Sequence, residues 1–370
     1  MVVDVLDQKV LNKIPRVSEV DEAYGVKVNA LSVDELFELY RRAGFLYPAK
    51  AARLFPYMDV VRENWRRMML AGDSLLYVLT AGNEQHGSAS IAVWRTTDHG
   101  WISQHLVSEN NPLASRSVML AGSAGCMARG VDDSHQNWFR PENRFPSRVF
   151  GSMVQTIGES CSSVRRHMYF ALPRKRADQS SEGVRIVPYD RSHQKELCGL
   201  ARLVRGGVYV KAEELENDVE LEYVNDLYRN VGLRRTRHVS LAYRGRKGDE
   251  PVGAAIAYRG PLGVNFSFIE NRCDLLINPT LPESDVSAVV VALMNASAAA
   301  YADFELNEIP VIADQIAGAA LTGLGAEFLR NYCQGIWLKE GQAGFYQHVD
   351  RFYTRLVRRA EKQSIEHIAV

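Results

Sequence analysis

The sequence repeats one pattern of short strands twice, about 160 residues apart, and this repeat constrains the fold more than any other feature. In the first copy, apolar or alternating runs at residues 76–80, 88–95 and 101–107 are separated by polar turns. In the second copy, the same order returns at residues 238–243, 253–259 and 264–269. Solenoid repeats are about 20–50 residues long, so a period this large predicts two copies of one domain.

Charge and hydropathy limit the classes of function. The 370 residues include 44 Lys+Arg and 44 Asp+Glu, so the formal net charge is zero. Proteins that bind nucleic acid usually have a basic excess, and we expect no such role here. We find no apolar run of about 18 residues, and the first residues lack the basic-then-apolar order of a signal peptide. These features predict a cytoplasmic protein without a membrane span.

The cysteines and histidines predict neither a disulfide framework nor a metal site. The five cysteines are odd in number and far apart, and no CxxC pair occurs. The nine histidines show no HExxH pattern. We expect buried free thiols in a reducing compartment. The cysteines are Cys126, Cys161, Cys198, Cys273 and Cys333.

Composition and periodicity divide the chain into five segments. A polar lead-in, residues 1–25, precedes a first domain, residues 26–172. A charged linker rich in small residues, 173–183, leads to a second domain, residues 184–340. Residues 341–370 have apolar positions at helical spacing and predict an amphipathic terminal helix.

Each half shows one order of elements: strand, two helices, an antiparallel meander, helix, strand, helix and strand. This order, together with the duplication, resembles the GNAT acyltransferase fold over residues 26–172 and 184–340. The resemblance implies an α/β fold with a mixed sheet, made of two GNAT-like domains in tandem. It rests on the order of elements and the repeat rather than on a single motif.

The resemblance also implies where a cofactor would bind. In GNAT enzymes, acyl-CoA lies beside the fourth strand, and a Gln/Arg-x-x-Gly-x-Gly/Ala loop lets backbone N–H groups approach the pyrophosphate. The matching stretch in the first half is residues 111–116, in which Ala114 and Arg116 replace both glycines. An arginine at a helix start can still meet a phosphate by charge. The expected cofactor residues are Ser115, Arg116 and Ser117.

The second half matches the family less well at this loop. Residues 278–285 contain no glycine and two acids, which makes a poor cradle for pyrophosphate. Many GNAT enzymes also have a tyrosine as general acid in the next helix, and Phe150 and Leu321 stand at the corresponding positions here. Acyl-CoA is therefore expected in the first half only, with no metal.

A polar cluster at residues 139–145 is the strongest candidate site. It joins a short strand to a helix, a place where ligand sites are common. Its arginines and amide could bind a carboxylate or phosphate, whereas the alternative is a surface turn with an Arg–Glu pair. The predicted substrate-binding residues are Arg95, Arg140, Asn143 and Arg144.

Two residues are candidates for a general base. His105 on the hairpin and Glu142 in the polar cluster could each take a proton from an attacking amine. A structural, hydrogen-bonded role is the alternative for His105. The leading hypothesis is N-acyl transfer from acyl-CoA or an acyl carrier to an amine, performed by the first half. The rival is a non-catalytic module of the same fold that binds a small anion or a partner protein.

Overall fold

The computed structural model describes residues 24–83, 85–129, 134–175, 181–217, 219–245 and 250–368, and the side chains of all of these except residues 73, 126–129 and 357–368. The lead-in predicted at residues 1–25 therefore lies outside the described residues apart from its last two, as does the side chain of Cys126. The described residues form twelve strands in one sheet. The strands are β1 Lys27–Val28, β2 Leu76–Asn83, β3 Gly87–Arg95, β4 Gly100–Ser108, β5 Ser134–Phe139, β6 Ser162–Pro173, β7 Arg185–Pro188, β8 Thr236–Tyr243, β9 Gly253–Arg259, β10 Cys273–Ile277, β11 Glu308–Ala313 and β12 Glu327–Leu338.

Helices cover both faces of this sheet. In the described part of the chain they are α1 Val33–Arg42, α2 Pro48–Leu54, α3 Met58–Leu70, α4 Pro112–Arg129, α5 Arg144–Val149, α6 Val154–Ile157, α7 Gln194–Arg205, α8 Gly207–Ala212, α9 Glu222–Arg229, α10 Glu283–Ser297, α11 Gly318–Gly323 and α12 Gln342–Ile368. The start of α1 is fixed by a capping box, because the Ser32 hydroxyl accepts from the Glu35 N–H and the Glu35 carboxylate accepts from the Ser32 N–H.

The order of strands shows the repeat directly. Across the sheet it is β1-β2-β3-β4-β5-β12-β6-β11-β10-β9-β8-β7. From one edge, the five strands β1 to β5 of the first half are followed by β12, the last strand of the second half. From the other edge, the five strands β7 to β11 of the second half are followed by β6, the last strand of the first half. In both halves the fourth and fifth strands are parallel, and the other described pairs are antiparallel. This topology confirms the predicted α/β fold with a mixed sheet and shows the same strand arrangement in both halves.

The halves exchange their last strands. β6 lies beside β11, β12 lies beside β5, and the two pair with each other at the centre of the sheet. The sheet is therefore continuous from one half to the other. The domain boundaries at residues 26–172 and 184–340 stay a prediction.

Among the described residues, one helix is long and apolar enough to span a bilayer by length and composition alone. The sequence predicts no membrane span, because it contains no uninterrupted apolar run of about 18 residues. The helix covers Glu283–Tyr301, including α10. Val289, Leu293 and Met294 are fully buried in the core that α10 shares with the sheet. This pattern fits a core helix as well as a membrane segment.

The predicted third strand of the second repeat, residues 264–269, is wrong. This stretch belongs to a long β9–β10 loop, residues 260–272, and the strand that pairs with β9 is β10. The loop crosses to the first half, where Phe266 packs edge-on against Phe37 with ring centroids 5.3 Å apart. The Trp65 indole donates to the Gly263 carbonyl oxygen at 3.0 Å. Packing between the halves therefore overrides the strand propensity of the sequence.

Gly263 should be essential to this crossing. Its φ is +74°, and a Cβ there would lie 2.3 Å from Cγ2 of Val61. We expect Gly263→Ala to lower the free energy of unfolding by about 1–3 kcal/mol, because both backbone strain and overlap oppose the methyl group. The measurement is chemical denaturation, with Gly199→Ala as control, since a Cβ on Gly199 in α7 meets nothing within 4 Å. Equal stability of the two variants would contradict the assigned crossing.

Candidate functional site

The candidate site lies where β4 and β5 separate. The two strands pair in parallel only from Gly100 and Ser134 to Ile102 and Gln136. Beyond that point the register of β4 against β3 shifts, and His105 has a φ of +55°. Such a bulge bends its strand. The two strands diverge toward their carboxyl ends, which is where open α/β sheets bind ligands.

A cleft of 660 Å³ opens at this divergence. Both halves contribute to its walls, since the β9–β10 loop and Tyr332 of β12 face residues of the first half. Most of the wall is apolar, and none of the described lining residues is Asp or Glu. The aromatic part of the lining is Phe45, Tyr47, Trp138, Phe139, Phe145, Phe150, Phe266, Tyr332 and Tyr353. The cationic part is Lys50, Arg140 and Arg144.

The structure brings together some of the residues predicted from sequence. His105, Ser115, Arg140, Asn143 and Arg144 line the cleft. Their predicted roles stay predictions. The remaining candidates, Arg95, Arg116, Ser117 and Glu142, are not among the lining residues.

Arg95 and Glu142 lie outside the cleft for different reasons. Arg95 is buried, its Nε donates to the Ser74 carbonyl oxygen at 3.0 Å, and a second nitrogen donates to the Asp98 carbonyl oxygen. It thereby holds the turn between β3 and β4. Glu142 is exposed in the loop before α5. Neither side chain lines the cleft, and the predicted roles of both stay predictions.

The start of α4 does not offer the nucleotide cradle of the family loop. Pro112 has no N–H, and the N–H of Ala114 donates to the Asn111 side chain at 3.0 Å. Arg116 makes a 2.6 Å ion pair with Asp350 of α12. The Ser115 hydroxyl lies 2.7 Å from that of Tyr353. The groups that would face a pyrophosphate are thus mostly engaged within the protein.

His105 is enclosed by rings. Its imidazole lies 4.4 Å from the ring of Phe266 and 5.6 Å from that of Trp65, centroid to centroid. Desolvation, with a smaller effect of the nearby Lys50 charge, holds the pKa of His105 well below its usual range. A neutral imidazole of such low basicity is a weak general base near pH 7. The backbone N–H of Phe266 also lies 3.5 Å from its Nε2, and the role of His105 as a general base stays a prediction.

Sequence reasoning missed Lys50 of α2. Its ammonium nitrogen lies 3.6 Å from the ring centroid of Phe45 and 5.2 Å from that of Tyr47, in the wall of the cleft. Desolvation, then the charges of Arg140 and Arg330, lower the pKa of Lys50 to about 7. A large fraction of this amine is therefore unprotonated near neutral pH. No local motif marks the residue, because its surroundings come from distant parts of the chain.

The corresponding place in the second half holds three carboxylates. Glu283 and Asp285 lie in the first turn of α10, and Asp285 makes a 2.7 Å ion pair with Arg244. Asp314, at the end of β11, contacts His167 at 2.9 Å. Carboxylates at the helix start repel a phosphate. Which half binds a ligand stays a prediction.

Replacing Lys50 should change how the free energy of unfolding depends on pH, because the pKa of Lys50 is low in the folded chain. Between pH 7 and 10.5 the unfolded chain holds the Lys50 proton and the folded chain releases it, so stability rises with pH across that window. Below pH 7 Lys50 is protonated in both the folded and the unfolded chain, and the full free-energy cost of placing its charge in the cleft wall applies. Lys50→Met removes it, so we expect a gain of up to about 5 kcal/mol at pH 6 that shrinks toward pH 10. The check is denaturation at several pH values, with the exposed Lys195→Met as control. A gain independent of pH would contradict the low pKa.

Comparisons with known proteins concern the fold. The sequence matches no protein-family model and no curated protein. A GCN5-related N-acetyltransferase from Sphaerobacter thermophilus is 10% identical, with a TM-score of 0.37 over 72% of this chain and 81% of that one. A GCN5-related N-acetyltransferase from Anabaena variabilis is 10% identical, with a TM-score of 0.34 over 84% and 72%. The N-myristoyltransferase of Saccharomyces cerevisiae, solved with bound myristoyl-CoA, is 7% identical, with a TM-score of 0.39 over 84% and 78%.

Proposed function

We propose that the protein is an N-acyltransferase that moves an acyl group from a pantetheine thioester to an amine in the cleft of its first half. The main support is Lys50, an amine with a pKa of about 7 in the wall of a cleft whose described lining contains no carboxylate. An amine with this pKa can accept a proton at neutral pH, and it needs no neighbouring carboxylate to do so.

The shape and polarity of the cleft suit the donor. Its volume of 660 Å³ is in the range of sites for drug-sized ligands, about 300–1,000 Å³. The aromatic wall can hold an acyl chain. Asn137 and Trp138 also line the cleft, and the side-chain oxygen of Asn137 and the indole nitrogen of Trp138 are buried without a partner in the described residues. Amide groups of a pantetheine arm can supply such partners after a small movement of these side chains.

Lys50 would act as the general base. The unprotonated Lys50 takes a proton from the substrate ammonium group, and the free amine attacks the thioester carbonyl carbon. A carbon–nitrogen bond forms, the carbon–sulfur bond breaks, and the thiolate leaves with a proton from the new amide nitrogen. Lys50 then returns its proton to water. The positive charge of Arg140, which lowers the pKa of Lys50, favours that release.

The rival function is a sensor that binds an anionic ligand without turnover. It is favoured by the start of α4, where Pro112 and the Asn111 side chain leave little of a nucleotide cradle. The two functions differ in one observable, which is the release of free thiol in the presence of an amine. Binding of a thioester without thiol release, across a panel of amines, would favour the sensor.

The pH dependence of turnover tests the role of Lys50. We expect kcat/KM for thiol release to rise with pH, to reach half its maximum at about pH 7 and to level off roughly one unit higher, because the free enzyme must present Lys50 unprotonated. Lys50→Met should lower kcat/KM by about 10²–10⁴-fold and remove that rise. The measurement is a thiol-release assay with octanoyl-pantetheine and an amine panel, and Lys195→Met is the control. Wild-type activity in Lys50→Met would exclude Lys50 as the base.

A further inference from the structure

A second cavity adjoins the cleft. It is a groove of 580 Å³ between α5, α6 and α12, and Leu356 of α12 lines both the groove and the cleft. Three exposed arginines line the groove: Arg148 on α5 and Arg351 and Arg355 on α12. None of its described lining residues is Asp or Glu. The groove is thus a basic surface next to the mouth of the proposed active site.

These arginines differ from others on the surface. Arg41 pairs with Glu38 at 2.6 Å, and Arg66 pairs with Asp34 at 3.2 Å. By contrast, the part of the chain that the structure describes gives Arg148, Arg351 and Arg355 no ion pair. In a chain with equal numbers of acidic and basic residues, three neighbouring cations without an ion pair among the described residues do not follow from composition. Grouped charges of one sign attract a partner of the opposite sign.

The start of α4 indicates what kind of ligand the three arginines of the groove could bind. Free CoA needs a site for its nucleotide phosphates, and α4 offers little of one because Pro112 lacks an N–H and Ala114 donates to Asn111. A donor whose pantetheine arm is attached to a protein needs no nucleotide site. It needs instead a surface that holds the carrier while the arm enters the cleft.

We propose that the groove docks an acidic acyl carrier protein, whose phosphopantetheine arm passes Leu356 into the cleft. This inference rests on the proposed function and narrows its donor from any pantetheine thioester to a carrier-bound one. Arg351 and Arg355 are one helical turn apart, so their side chains form a row on one face of α12. Together with Arg148 on α5, they present charge over two helices in an open groove. That spread suits an acidic helix better than a single phosphate group.

Binding to the full-length chain tests the proposal. The probes are octanoyl carrier protein with an amide in place of the thioester, octanoyl-CoA and octanoyl-pantetheine, each titrated at low and at physiological ionic strength. We expect Arg351→Gln/Arg355→Gln to weaken carrier binding about tenfold and to reduce its dependence on salt. Binding of octanoyl-CoA and octanoyl-pantetheine should not change. The matched control is Arg66→Gln, and melting temperatures verify that each variant folds.

Four other outcomes would overturn the docking proposal or the proposed function. If the double variant weakens octanoyl-CoA as much as the carrier, the groove holds the nucleotide and the carrier proposal is wrong. Unchanged carrier binding in the double variant excludes the groove as the docking surface. A short DNA duplex that binds as tightly as the carrier would show a general affinity for polyanions, which also overturns it. If octanoyl-pantetheine itself does not bind, the proposed function fails as well.

Discussion

The structure depends on the exchange of one strand between its halves. β12 pairs with β5, β6 pairs with β11, and β6 pairs with β12 at the centre. A strand removed from its place would leave buried backbone groups unpaired, at about 1–3 kcal/mol each. Neither half can therefore complete its sheet alone. The exchange is also fixed by side chains, because Gln334 of β12 donates to Gln136 of β5 at 2.8 Å, and Gln136 donates to the buried Glu213 at 3.1 Å.

Local sequence predicted the elements well and their partners poorly. The hairpin strands of the first half follow from spacing and period. The exchange of β6 and β12 could not be predicted, since a strand has the same alternation whichever neighbour it pairs with. Residues 264–269 alternate like a strand, yet Phe266 packs on the first half. Arg140 and Arg144 could be predicted as site residues because they follow a strand. Lys50 could not, because its low pKa depends on how α2 packs against distant residues.

The candidate site is distinguished by where charged side chains lie and not by the net charge of the chain. The chain is neutral overall, but the described linings of the cleft and the groove contain six cationic side chains of Lys and Arg and no carboxylate. Desolvation, and then the charges of Arg140 and Arg330, lower the pKa of Lys50, so its amine is only weakly basic. A bound anion would reverse this effect and raise the pKa of Lys50. The protonation of Lys50 is therefore coupled to whether an anion occupies the cleft.

The second half supports the site without repeating it. Its own helix start is acidic, with Glu283 and Asp285, which opposes an anionic ligand there. Its contribution to the cleft is structural: Tyr332 donates to the Ser267 hydroxyl at 2.8 Å, and Tyr169 of β6 donates to the Ser267 carbonyl oxygen at 2.7 Å. The two tyrosines stand on the exchanged strands. The duplication thus supplies one wall of the cleft, and the exchange that joins the halves also holds that wall in place.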